Sequence, residues 1–146
     1  MNRLGTIGKV LQLKENREEE IECEVRALRN AVGADQTRLG ILESSYMDTL
    51  EAFNRKQLEG GLAPHEMGIY YSYFFHIDKE MERKKAEIAK ALSELDARQG
   101  DLVAAHKETR VVESLKDRRS REYEKEDARR ERKEMDFISS TRRAGQ

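Results

Sequence analysis

Apolar residues recur along this chain at the three-and-four spacing of a helix face, in two long runs separated by one break. In the first run a heptad puts Leu4, Leu11, Glu18, Val25, Val32, Leu39, Tyr46 and Phe53 at a, seven of the eight apolar. The matching d positions are Ile7, Lys14, Ile21, Leu28, Asp35, Leu42, Thr49 and Lys56, of which half are apolar. The second run carries Met67, Phe74, Met81, Ile88, Leu95 and Leu102 at a, with Tyr70, Ile77, Ala91, Ala105 and Val112 among its d positions. Each run predicts a helix with one apolar seam and a charged outer surface.

The break is Glu59-Gly60-Gly61-Leu62-Ala63-Pro64-His65, where two glycines supply unusual backbone angles and Pro64 suits the start of a following helix. A helix cannot bury such a seam by itself, and a connection this short makes the other run its nearest partner. The expected fold is therefore all-α: residues 1–146 form a single antiparallel coiled-coil hairpin, with helix 1 over about 9–59, a turn over about 60–64 and helix 2 over about 65–142. Gly33, Gly40 and Gly100 each cost roughly 1 kcal/mol relative to Ala in a helix interior. They read either as tolerated residues or as places where a helix bends.

The arms of this hairpin are unequal. A turn centred near Gly61 and Leu62 sets residue 9 opposite residue 115, so the second helix overhangs from about Lys116. The stretch to Thr141 would project by roughly 40 Å at 1.5 Å per residue. Of the 21 residues from Lys116 to Asp136, 17 are charged, nine basic and eight acidic. Asp117 with Arg121 and Glu126 with Arg130 stand at i,i+4, which supports a helix without tertiary contacts. The alternative is a frayed, solvated tail.

Composition narrows the picture. Leu, Ile, Val and Phe make up 30 of the 146 residues, too few for a conventional globular core. Ala, Glu, Lys, Leu and Arg make up 75, the balance of long helices. The net charge of −1 comes from 28 basic and 29 acidic side chains, with −2 up to Glu59 and +1 beyond. Such interleaving argues against a one-signed grip on nucleic acid or anionic lipid. No segment has the roughly 20 apolar residues of a membrane span, and the N-terminus lacks a signal-peptide core, so a cytoplasmic protein without membrane insertion is expected. Cys23 stands alone among glutamates and reads as a surface thiol.

Catalytic chemistry finds little support, and no enzyme activity, cofactor or metal is expected. His65, His76 and His106 lack a ligand spacing, and His65-Glu66 has no second histidine to complete a zinc-protease helix. Gly60-Gly61 lacks the Gly-Lys-Ser/Thr of a phosphate loop. The segment Ile69-Tyr70-Tyr71-Ser72-Tyr73-Phe74-Phe75-His76-Ile77 is different, holding five of the nine aromatics. Tyr70, Phe74 and Ile77 face the partner helix, within reach of Tyr46, Leu50 and Phe53, whereas Tyr71 and Tyr73 flank the seam and Phe75 points outward. The segment reads either as a thick aromatic plug near the hairpin tip or as a surface for a second protein.

With these residues in view, the chain resembles the FliJ family of bacterial flagellar type III export proteins, which has relatives in virulence-type systems. The likeness is carried by Leu11-Gln12-Leu13-Lys14-Glu15, the acidic first helix and the Gly-Gly-Leu turn followed by IYYSYFFHIDKEM. It extends to Val112–Arg118 and Lys133-Glu134-Met135-Asp136. The resemblance implies a stalk-like accessory that binds the hexameric export ATPase ring and promotes its assembly. It also implies contact with the cytoplasmic linker of the membrane export gate and help in recycling export chaperones, at the cytoplasmic face of the cell membrane. By that resemblance Tyr73 and Ile77, with Phe75 beside them, match the gate-binding patch, while Glu80 and Lys84 depart from the usual residue types. Arg118, Arg119, Arg121, Arg129 and Arg130 are the expected ring contacts, and a monomer is expected. Two other classes compete: a generic coiled-coil scaffold, which would homodimerise through its seam, and a nucleic-acid or ribosome-associated hairpin resting on Arg129, Arg130, Arg132 and Lys133. Interleaved Glu126, Asp127, Glu131 and Glu134 weaken the last.

Overall fold

The computed structural model of the protein describes residues 2–145, so Met1 and Gln146 at the ends of the expected hairpin lie outside the described residues. It consists of two helices, α1 (Asn2–Leu58) and α2 (Pro64–Ala144), with no strand among the described residues. The fold is an all-α helical hairpin. The turn follows from its residues. Gly61 N–H donates to the Lys56 carbonyl at 3.2 Å and Gly60 N–H to the Gln57 carbonyl at 3.1 Å. This pair of bonds closes the end of α1 around Gly60, whose φ of 70° is open to glycine and strained for other residues. Pro64 then occupies the first helical position of α2, with the Ala63 carbonyl accepting from the N–H groups of Glu66 and Met67 at 3.0 and 3.1 Å.

Two compact units make up the chain: unit 1 (Met1–Ile21 with Asp101–Gln146) and unit 2 (Glu22–Gly100). In unit 2 the core is Val25, Val32, Phe53, Ile77 and Ile88, all at a or d. Around Phe53 the rings of Tyr70, Tyr71 and Phe74 have centroids at 5.1, 5.8 and 5.8 Å, and Tyr46 meets Phe74 edge-on at 5.3 Å. Polar seam positions are met by polar partners. Lys84 reaches Asp35 at 3.3 Å and Glu87 at 3.0 Å, and Arg98 reaches Glu24 at 3.0 Å. The backbone stays helical through Gly33, Gly40 and Gly100, and a Cβ at each would meet no packed side chain within 4 Å beyond the adjoining residues of its own helix.

In unit 1, Ile21, Ala105 and Thr109 are buried, and Lys14–Glu108 and Glu18–His106 link the helices at 3.0 and 2.7 Å. Two boundaries differ from expectation. Helix α1 begins at Asn2 rather than about residue 9, because Leu4 and Ile7 are already half-buried in the seam and offset the cost of Gly5 and Gly8. Its partner residues follow: Lys116, Arg119, Ser120 and Tyr123 on α2 are half-buried, so the overhang starts at Glu124 and not at Lys116. From Glu124 to Gly145 every residue is exposed, and α2 stays helical to Ala144. The projecting helix is thus about 30 Å long. Among the described residues no ion pair joins Asp117 to Arg121 or Glu126 to Arg130.

Candidate functional site

Three surfaces carry the chemistry of this chain. The first is the start of α2 in unit 2. Ile77 is only 4% exposed and sits in the seam, so it offers a docking protein no surface while the helices stay paired. That corrects its place in the expected gate patch: the d position which makes it apolar also buries it. Tyr73 is half-buried with its ring against Phe74 at 5.8 Å, and Phe75 is 64% exposed with the Lys79 ammonium 4.4 Å from its ring centroid. Tyr71, at 56% exposure, and Ile69 extend the outward apolar surface. Further along α2, Glu80 pairs with His76 at 3.3 Å and Lys84 belongs to the seam layer with Asp35. Hydrogen bonds that it donates, first to Glu87 and then to Asp35, hold the Lys84 ammonium above its ordinary range. On the same end of the hairpin, a hydrogen bond with Tyr70 raises Lys56, which lies 5.5 Å from that ring centroid.

The second surface is the end of unit 1. Arg118 and Arg121 are exposed on the outer side of α2, with Asp117, Glu122 and Lys125 around them, and Arg119 is half-buried toward the seam. Arg129 and Arg130 are exposed on the projecting helix, without an ion pair among the described residues. These five arginines therefore do not form one patch: they are distributed along about three turns and around the helix.

The third is a polar cluster that sequence reasoning does not single out. Glu18 occupies an a position and accepts from His106 at 2.7 Å, Nδ1 to Oε1, beside the buried Thr109 hydroxyl, which donates to the Ala105 carbonyl at 3.0 Å. The His106 hydrogen bond is the largest cause pulling the Glu18 carboxyl below its ordinary value of 4.5, with Thr109 adding to it and desolvation opposing. The one charged residue among the a positions of the first run is the signal that marks this layer. His65 is exposed at the start of α2, and among the described residues no group of three His, Cys, Asp or Glu is placed to hold a metal ion. Cys23 is a free, exposed thiol. No helix among the described residues is long and apolar enough to cross a membrane.

Neither a curated protein nor a solved structure is a significant match to the chain. A family model described as "Flagellar FliJ protein" matches residues 4–146, a span that takes in the seam of both units, the turn and the projecting helix. That family is a non-catalytic flagellar export component. With a match over essentially the whole sequence, on a two-helix fold with the expected seam, the chain belongs to the FliJ family and has the flagellar export-associated role which that family implies.

Proposed function

We propose that the chain works as a single coiled-coil hairpin that engages the hexameric ATPase of flagellar export, promotes its assembly, touches the membrane export gate and helps recycle export chaperones. The observation that carries this reading is the end of α2, helical to Ala144 yet exposed at every residue from Glu124 to Gly145. A helix of dense mixed charge, with large apolar groups only at Met135, Phe137 and Ile138, suits contact with a ring of repeated polar surfaces. Exposed ion pairs are worth only about 0 to 1 kcal/mol each, so they can be exchanged between subunits without trapping. Arg118, Arg121, Arg129 and Arg130 supply exposed cations for such contacts, and Arg119 anchors the base of the projecting segment. Phe75 and Tyr73 form the gate surface, with Ile77 holding the helix beneath them. The protein acts in the cytoplasm, peripheral to the membrane at the export apparatus.

Deletion of residues from Glu124 onward tests the ring contact. The shortened chain keeps its thermal unfolding transition and loses stimulation of ATPase assembly, and stimulation by the full chain falls with added salt. Full stimulation by the shortened chain rejects the projecting helix as the ring contact.

A further inference from the structure

One flank of unit 1 carries apolar side chains that the seam does not use. Val10 and Leu115 occupy g positions, and Leu13 and Val111 occupy c positions beside them. In an antiparallel pair the two g rows border the same side of the seam, and the Lys14–Glu108 ion pair at 3.0 Å closes across that side, Glu108 being itself at g. These four residues are between 39% and 68% exposed. Single exposed apolar residues are ordinary, but four within about one turn of each helix form a patch. On α2 the patch deepens into a groove lined by Arg110, Val111, Ser114, Leu115 and Arg118, with no carboxylate in its wall.

The charges in the wall of this groove are of one sign, Arg110 and Arg118, while Glu113 and Asp117 stand outside it. Glu108 is engaged by Lys14 at 3.0 Å and Glu20 by Arg17 at 3.1 Å. Arg110 and Arg118 have no hydrogen bond or ion pair among the described residues. Glu122, at the g position after Leu115, bounds this flank with an acidic residue. We propose that this flank docks an acidic amphipathic helix of a partner protein, whose apolar anchors cover Leu13, Val111 and Leu115 while its carboxylates meet Arg110 and Arg118. A second copy of the chain suits the flank poorly. A two-fold contact would set the same two unpaired arginines against each other.

The flank and the projecting helix fail separately: a chain that captures no acidic helix yet stimulates the ATPase loses only the flank. The test uses the full chain and a fluorescein-labelled helical peptide of about six turns, with Leu along one face and Glu elsewhere. A peptide with Lys in place of Glu is the control. Fluorescence anisotropy should give binding of the Glu peptide roughly tenfold or more tighter than of the Lys peptide. Leu13→Ser with Val111→Ser should weaken capture by roughly tenfold or more with an unchanged melting transition, since both side chains are exposed. Arg110→Glu with Arg118→Glu should turn the preference toward the Lys peptide. Equal binding of both peptides, no binding of either, or full capture by the Leu13→Ser, Val111→Ser chain overturns the assignment. So does a concentration-dependent doubling of mass that the same double substitution abolishes, which would make a second copy the occupant.

Discussion

Gly60 and Gly33 are the same residue type in opposite circumstances. At Gly60 a φ of 70° lets two N–H groups turn back onto the carbonyls of Lys56 and Gln57. A Cβ there would meet no neighbouring atom, so the penalty for Gly60→Ala is conformational, roughly 1 kcal/mol. At Gly33 the backbone is helical and the space is open, so Ala lowers the entropy lost on folding and should stabilise by up to about 1 kcal/mol. Thermal or urea unfolding of the two single substitutions should therefore move in opposite directions. Glu18 supplies a pH test at the same scale. Its carboxyl is held below the ordinary value by His106, so its contribution to stability is present above about pH 4.5 and is lost as pH falls through the lowered folded-state value. Replacing Glu18 by Gln should flatten the acid limb of the stability profile below that pH. An unaltered limb would mean that the His106 contact adds nothing to folding.

At the scale of elements, the heptad makes most of the fold readable in the sequence. Even the polar exceptions Lys14, Glu18, Asp35 and Lys84 fall where the register puts them, half-buried along the seam. Spacing is a strong signal because one apolar stripe must find one partner. The start of α1 is less legible, since Gly5 and Gly8 weigh against a helix locally and only pairing of Leu4 and Ile7 with α2 outweighs them. The aromatic segment is legible in part for a similar reason: composition marks it, but burial divides Ile77 from Phe75. Phe53 and Phe75 separate these roles experimentally. Phe53 is buried among Tyr70, Tyr71 and Phe74, so Phe53→Ala should cost about 3 kcal/mol of stability. Phe75→Ala with Tyr73→Ala should leave the hairpin folded at a smaller cost and weaken binding to the gate linker. Undiminished gate binding by that folded double variant would return the whole segment to a packing role.

For the whole molecule, the question is whether either seam is left to recruit another copy. In unit 2 the a and d positions of both helices are buried or half-buried from Val25 to Phe53 and from Met67 to Arg98, and in unit 1 the same holds from Leu4 to Ile21 and from Leu102 to Tyr123. A coiled-coil homodimer joined through these residues would have to open contacts that the chain already makes with itself, including the Asp35–Lys84 and Lys14–Glu108 ion pairs. A short connection also favours the partner within the chain, because the effective concentration of a tethered helix far exceeds that of a second molecule in dilute solution. The remaining apolar groups on the projecting helix, Met135, Phe137 and Ile138, are too few for a stable interface of their own. Sedimentation equilibrium should accordingly return 17.0 kDa across a wide range of loading concentrations. A mass of twice that value at the lowest concentration, insensitive to further dilution, would show that the seams pair between chains and would favour the scaffold reading over the monomeric export component.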